Sequence, residues 1–172
     1  VTPTDGDAIM VQTYDGGLTD GNFTGNADGD GVPLVSTASF AGAFDVTADA
    51  GADGEASTTV TYMLQLAAAF SEGDPSGLTS ANVAINLYEV GGIIYGSTAA
   101  SEGDVDPANT VFTLEVDGAG NVTLTQSGVI DHDTDESYSG AYINDVQELA
   151  TGLVELKATA ETTDGDGDTA TG

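Results

Sequence analysis

The residues of this chain whose type and spacing suit a chemical role, the binding of a cation, are its clustered aspartates. The clusters, most with a spacing of two residues, are Asp5 and Asp7; Asp28 and Asp30; Asp49 and Asp53; Asp104 and Asp106; Asp131, Asp133 and Asp135; and Asp164, Asp166 and Asp168. This spacing places side chains on one face of a strand, and in a tight loop it lets alternate carboxylates converge. Converging carboxylates repel one another, and a hard cation such as Ca²⁺, which takes about 6–8 oxygen ligands, removes that repulsion.

The densest cluster is the run Asp164-Gly165-Asp166-Gly167-Asp168. An isolated Asp-Gly pair is more simply a solvated turn, because Asp and Gly dominate turns. For this run we favour calcium, although it is not an EF-hand, which needs Gly at the sixth position, where this chain has Thr169. The predicted metal ligands are Asp28, Asp30, Asp49, Asp53, Asp131, Asp133, Asp164, Asp166 and Asp168.

Loops between β-strands must position these carboxylates. Of the 29 acidic residues, 20 are Asp, which favours turns and caps, whereas Glu favours helices. The strongest strand signal is Ser57–Leu66, where apolar and polar residues alternate with a period of two. Further strands are predicted over Ala8–Tyr14, around Phe40–Val46, and over Val83–Glu89, Ile93–Ser97, Val111–Val116, Val122–Gln126 and Leu153–Ala160.

The connections between these strands complete the expected fold. Gly91-Gly92 and Asp117–Asn121 predict hairpin turns. Leu18–Thr37 reads as a long irregular loop, and a short helical turn could lie within Tyr142–Ala150. We therefore predict an all-β protein, an antiparallel β-sandwich of Ig-like or Greek-key type with long loops, stabilised by calcium. The expected division is a linker and first strand over residues 1–14, one sandwich over 15–163, and a calcium-binding junction to a next module over 164–172.

The charge of the chain excludes several classes of partner. One basic residue and 29 acidic ones among 172 residues give a formal net charge of −28. Such a surface repels phosphate backbones and anionic lipids, so we expect no nucleic acid and no membrane partner. No apolar run approaches the roughly 18 residues of a membrane span, and the first residues lack a basic segment followed by an apolar stretch, so we expect no transmembrane helix and no secretion signal within this sequence. The chain begins and ends as an excised module of a longer protein would, and without Cys it has no disulfides.

Residues for catalysis are few. The single His, His132, lies between Asp131 and Asp133, where we expect it to be a protonated neighbour of a cation site. Two carboxylates could suggest a glycosidase, but such sites usually sit in aromatic-lined clefts, and this chain has no Trp. The only basic residue, Lys157, lies in a predicted strand, away from any phosphate-binding loop. We therefore expect no enzymatic activity and no cofactor other than Ca²⁺.

Several segments resemble the repeat-type domains of giant bacterial RTX adhesins. Leu156–Thr171 looks like the end of such a domain, and Asp49–Gly54 with Val60–Leu66 resembles the family's Gly-Ala-Asp-Gly loop and following strand. Gly77–Ser80, Val111–Val116 and Gly120–Gln126 look like its central hairpins. The similarity runs from about Asp15 to Gly172 and departs at Gly21–Thr37 and Ser137–Thr151. It implies type I secretion, an extracellular location on the bacterial surface, and Ca²⁺ at loops and module junctions.

Two hypotheses for function follow. In the first, the chain is a structural extender module that calcium makes rigid, with neighbouring modules as its partners, and it supports bacterial adhesion and biofilm formation. In the second, it is a calcium-dependent binding module in which the ion bridges a surface glycan or a protein ligand. A third interpretation, a halophilic protein whose acids only hold water, predicts acids rich in Glu and spread over every exposed face. The excess of Asp argues against it.

Overall fold

The computed structural model describes residues 2–3, 11, 34–47, 54–131 and 147–172. Within them the chain forms eleven β-strands and two short 3₁₀ helices, Ala41–Ala43 and Glu102–Asp104. The strands are β1 (Thr2–Pro3), β2 (Leu34–Ser39), β3 (Phe44–Asp45), β4 (Glu55–Leu66), β5 (Pro75–Ser80), β6 (Val83–Val90), β7 (Ile93–Ser97), β8 (Thr110–Val116), β9 (Asn121–Gln126), β10 (Val154–Asp164) and β11 (Thr169–Thr171).

The larger sheet has six antiparallel strands in the order β2-β9-β8-β7-β6-β5. Strands β5 to β9 follow one another in the chain and pair with their sequence neighbours, so this part is a meander. β2 joins the meander from far away in sequence and pairs along its whole length with β9, from Leu34 opposite Gln126 to Ser39 opposite Asn121. The larger sheet therefore combines local hairpins with one long-range pairing.

The smaller sheet has the order β11-β10-β4. β10 and β4 pair antiparallel from Val154 opposite Leu66 to Asp164 opposite Glu55. The short strand β11 turns back on the end of β10, with Thr163 opposite Thr169. A separate two-stranded ladder joins β1 to β3. The smaller sheet thus carries the Asp-Gly run at one of its ends.

The core lies between the two sheets. Leu64 of β4 and Leu153 next to β10 pack with residues of β6, β7 and β8, of which Ile85 and Ile94 are fully buried. Burial of such side chains is the main favourable contribution to folding, at roughly 1.5–3 kcal/mol for each. The antiparallel β-sandwich predicted from the sequence is confirmed.

Most of the predicted strands and both predicted hairpins are confirmed, but two predictions around the start of the larger sheet are wrong. Leu34–Ser39 is a strand, although its first four residues were expected to belong to an irregular loop. The strand expected around Phe40–Val46 is instead a 3₁₀ helix followed by the two residues of β3. In both places tertiary pairing decides the structure, with β9 for β2 and with β1 for β3.

Other predictions fall partly or wholly outside the described residues. Of the expected strand Ala8–Tyr14 only Val11 is described, and it packs against the core. The described part of Tyr142–Ala150, residues 147–150, has no helical turn. Among the described residues no helix is long and apolar enough to cross a membrane.

Candidate functional site

The hairpin between β10 and β11 brings the Asp-Gly run to one point. The Asp164 backbone N–H donates to the Asp168 carbonyl at 3.0 Å, which closes the turn. Gly167 has a φ of +98°, a conformation that residues with a side chain rarely adopt, so glycine is required at this point of the turn. The Gly165 N–H donates to the Gly54 carbonyl at 3.0 Å, which attaches the turn to the residue before β4.

The carboxylates of Asp164, Asp166 and Asp168 form a cluster at this turn. One oxygen from each lies within 4.8 Å of the others, with Asp164 half-buried and the other two exposed. Oδ1 of Asp164 also accepts hydrogen bonds from the backbone N–H groups of Gly167, at 3.1 Å, and Asp168, at 2.9 Å. The backbone thereby fixes one carboxylate and leaves two with more freedom.

The pKa of Asp164 is lowered from its usual value. The largest cause is a hydrogen bond between its side chain and that of Asp166, and the N–H donors of Asp168 and Gly167 add to it, while partial burial opposes it. Charged carboxylates at this separation repel one another, and a bound cation would remove that repulsion.

The donor set of this cluster fits a hard cation. Three carboxylates supply oxygen only, and Ca²⁺ takes about 6–8 oxygen ligands, of which backbone carbonyls and water commonly supply part. The cluster contains no His, and the chain contains no Cys, so it lacks the nitrogen and sulfur ligands typical of zinc. Asp164, Asp166 and Asp168 are the predicted ligands that the structure brings together.

Asp131 has a different set of contacts. Its Oδ2 accepts hydrogen bonds from the Thr79 hydroxyl at 2.8 Å and the Asn82 N–H at 2.7 Å, and its Oδ1 accepts one from the Ala81 N–H at 2.9 Å. The carboxylate therefore caps the turn between β5 and β6, where it satisfies two backbone donors. The structure does not place a second described acid beside it to form a metal cluster.

The remaining predicted ligands lie outside the described residues. These are Asp28, Asp30, Asp49, Asp53 and Asp133, together with the neighbouring His132. The pair Asp104 and Asp106, which we did not assign to a metal, caps turns: Asp104 accepts from the Ser101 hydroxyl at 2.7 Å and Asp106 from the Ala108 N–H at 2.7 Å. These two aspartates therefore act as turn residues, as we expect of Asp outside a metal site.

Asp117 is a turn residue whose importance the sequence analysis missed. Its Oδ1 accepts from the backbone N–H groups of Ala119, at 2.8 Å, and Asn121, at 2.9 Å, and its Oδ2 accepts from Asn121 Nδ2 at 2.8 Å. The Asn121 side chain is the largest cause of a lowered pKa at Asp117. The signal was present in the spacing, because Asp at the first position of a four-residue hairpin connection commonly bonds the backbone that follows.

The connection between β7 and β8 is a second feature that the sequence analysis left without a role. Residues 98–109 carry few hydrophobic residues, and the pair Asp104 and Asp106 within them was not assigned to a metal. In the structure they fold against the larger sheet and form one side of a groove of about 390 Å³. Only the tertiary position of this loop reveals the groove, so no sequence pattern could have found it.

Comparisons with known proteins give one match. No curated protein and no solved structure matches this chain. The profile of a family described as a domain of unknown function, DUF5801, matches residues 4–172. That match covers nearly the whole sequence, and the chain therefore belongs to the DUF5801 family.

Proposed function

We propose that this domain is a structural extender module of a large bacterial RTX adhesin, made rigid by calcium at the cell surface and supporting adhesion and biofilm formation. The observation that carries the proposal is the convergence of Asp164, Asp166 and Asp168 on one exposed hairpin turn of a β-sandwich. The chain's similarity to repeat-type adhesin modules and the absence of Cys support the same function. The role is mechanical and needs no catalytic residues.

The position of the cluster explains how an ion would stiffen the module. The turn links β10 to β11 and is attached to the start of β4 by the hydrogen bond from Gly165 to Gly54. Bound calcium would supply a cross-link between carboxylates that otherwise repel one another. The chain's own residues then hold β11 against β10, so that the last strand and whatever chain follows it keep a fixed direction.

The expected gain in stability is substantial for a domain without disulfides. An ion that binds only the folded state adds RT ln(1 + [L]/Kd), which is about 2.7 kcal/mol for each site at 100 times Kd. For a domain of this size, that corresponds to a rise in Tm of about 5–10 °C. Secreted proteins commonly obtain such stability from disulfides, which this chain does not have.

Thermal unfolding with and without calcium tests the ion site. We expect millimolar Ca²⁺ to raise Tm, and we expect the triple variant Asp164→Asn, Asp166→Asn, Asp168→Asn to lose most of that rise. The matched control is Glu148→Gln, Glu155→Gln, Glu161→Gln, which changes the net charge equally at other positions. An unchanged Tm after EDTA treatment, or an equal loss in both triple variants, would contradict the proposed ion site.

The mechanical role needs a separate test, because an ion could stabilise a module that is not an extender. Two modules joined in tandem can be measured by small-angle X-ray scattering in Ca²⁺ and in EDTA. We expect a larger maximum dimension and less flexibility in Ca²⁺, and a return to the EDTA profile when the three aspartates are replaced by Asn. Identical profiles in both conditions would rule out the extender function even if calcium raises Tm.

A further inference from the structure

The loop of residues 98–109 is fixed against the outer face of the larger sheet. Tyr88 follows the core residue Leu87 in β6, and successive side chains of a strand lie on opposite faces of the sheet. The Tyr88 side chain therefore lies on the face away from the core, yet it is only 1% exposed. Its hydroxyl donates to the Ala99 carbonyl at 2.8 Å, and Asn86 Nδ2 donates to the same oxygen at 3.1 Å. The loop therefore covers part of the outer face.

Hydrogen bonds within the loop give it a defined shape. Asn109 Oδ1 accepts from the Asp106 N–H at 2.9 Å and from the Ser97 hydroxyl at 2.8 Å. Asn109 Nδ2 donates to the Asp104 carbonyl at 2.8 Å. One amide side chain thus connects two points of the loop to the last residue of β7, and the side of the groove that the loop forms is preorganised before any ligand binds.

The groove lies between this loop and the exposed part of the sheet. Its floor is a row of neighbouring residues on three strands, in which Tyr95 pairs with Thr113 and Thr113 pairs with Thr125. The loop contributes Glu102, Val105 and Pro107. The volume of about 390 Å³ is within the range of small-ligand sites, roughly 300–1,000 Å³, and large enough for one long side chain.

The charge of the groove is negative. Of the described residues that line it, only Glu102 and Asp106 are acidic and none is basic, while Lys157 lies on β10 of the other sheet. Asp106 uses Oδ1 to accept from the backbone of Ala108, which fixes its carboxylate. Among the described residues, the Glu102 side chain has no hydrogen-bonded partner and no ion pair. Two acidic residues and an aromatic residue therefore line the same groove, and no described residue adds a positive charge to it.

We propose that this groove binds a lysine or arginine side chain of a partner polypeptide. The apolar side chains of Val90, Val105 and Pro107 suit the methylene stem, and Val90 is 37% exposed without such a contact. Glu102 and Asp106 attract the cationic end, and the Tyr95 ring adds cation–π attraction if the cation reaches it. The overall charge of −28 speeds the approach of a basic partner. Binding at this groove needs no calcium, so the proposal is independent of the extender function proposed above.

Titration by nuclear magnetic resonance tests this site directly. The probes are N-acetyl-lysine methylamide, N-acetyl-arginine methylamide, and the uncharged N-acetyl-norleucine methylamide as a control. We expect the two cationic probes to cause saturable shifts at residues 95, 102, 106 and 113, and the norleucine probe to bind more weakly. Shifts that are spread over the surface without saturation, or equal binding of the norleucine probe, would overturn the proposal.

Matched variants separate a specific site from general attraction by a negative protein. Glu102→Gln is expected to weaken lysine binding about two- to fivefold, the effect of losing one exposed charge pair, whereas Glu161→Gln, with the same charge change on β10, leaves it unchanged. Tyr95→Leu is expected to weaken binding by a similar factor, and Tyr95→Phe, which keeps the ring, to retain it. Equal effects of Glu102→Gln and Glu161→Gln would overturn the proposal.

A neutral sugar could also contact Tyr95 and the threonine hydroxyls, so methyl glucoside and methyl N-acetylglucosaminide are titrated in parallel. We expect these sugars to leave the groove residues unshifted at the concentrations that saturate the lysine probe. Stronger shifts with a sugar than with lysine would identify a glycan site and overturn the choice of a basic partner.

Discussion

At the scale of single residues, Asp131 shows how one carboxylate can hold an unfavourable turn. Ala81 and Asn82, between β5 and β6, have φ values of +49° and +62°, a region that costs a residue with a side chain roughly 1–2 kcal/mol. The Asp131 carboxylate accepts hydrogen bonds from the backbone N–H of each. Hydrogen bonds to a charged group contribute about 1.5–3 kcal/mol, which is enough to offset the strain.

The first prediction concerns this cap. We expect Asp131→Ala to lower the free energy of unfolding by about 1–2 kcal/mol, because both backbone donors and the Thr79 hydroxyl lose their acceptor. Ala81→Gly in the same background should recover part of the loss, since glycine adopts positive φ without strain. Urea unfolding measures both effects. The control Asp104→Ala, at an exposed turn, should change stability by less than about 0.5 kcal/mol, and an equal loss there would contradict this role.

The second prediction concerns Asp117 and pH. Its pKa is lowered in the folded state by hydrogen bonds that only the charged form accepts fully, first of all from Asn121. A lowered folded pKa means that its contribution is present above the unfolded value of 3.8 and is lost as the pH falls through the lower folded value. Asp117→Asn keeps the shape but does not titrate. We therefore expect the difference in Tm between wild type and variant to shrink below about pH 4, measured in EDTA. A constant difference from pH 6 to pH 2.5 would contradict the prediction.

At the scale of elements, the strands with strong periodicity could be predicted and the weaker ones could not. In β4 the core residue Leu64 alternates with the exposed Thr61 and Met63, as the sequence pattern requires. β5 begins with Pro75, contains Gly77 at a φ of +87° and pairs irregularly with β6, so its sequence lacks the usual strand signal. All three residues of β11 are exposed. The hairpin between β10 and β11 therefore has no hydrophobic pattern from which it could be predicted, although the spacing of its aspartates did predict the carboxylate cluster.

The third prediction tests the close packing of β7 against β8. Gly96 lies opposite Phe112, and a Cβ on Gly96 would overlap the Phe112 ring, which is 2% exposed. We expect Gly96→Ala to destabilise the domain by about 1–3 kcal/mol, the usual effect of overpacking a core. Phe112→Leu should cost stability alone but less in the Gly96→Ala background, which a double-mutant cycle measures. Gly118→Ala is the control, because a Cβ there meets nothing within 4 Å, and an equal loss in both glycine variants would contradict the packing argument.

At the scale of the whole molecule, the domain has to fold with a charge of −28 and a single lysine. Self-repulsion of that size disfavours the compact state. The structure relieves part of it locally, because Asp106, Asp117, Asp131 and Asp164 accept backbone hydrogen bonds. Asp166 and Asp168 have no comparable set of donors within the described residues, so their charges are the ones that a cation would neutralise to greatest effect.

The last prediction separates a specific ion from general screening. In EDTA, raising NaCl or KCl from 0.01 M to 1 M shortens the Debye length from about 30 Å to about 3 Å, and we expect Tm to rise with either salt because repulsion between exposed acids weakens. Once that rise levels off, millimolar Ca²⁺ should raise Tm further, since an ion held by Asp164, Asp166 and Asp168 makes direct bonds that screening does not supply. Mg²⁺ at the same concentration carries the same charge but demands a stricter octahedral geometry, so its effect should be smaller. If KCl alone reproduced the full effect of calcium, the acids would serve hydration, and the halophilic interpretation would replace the calcium-dependent one.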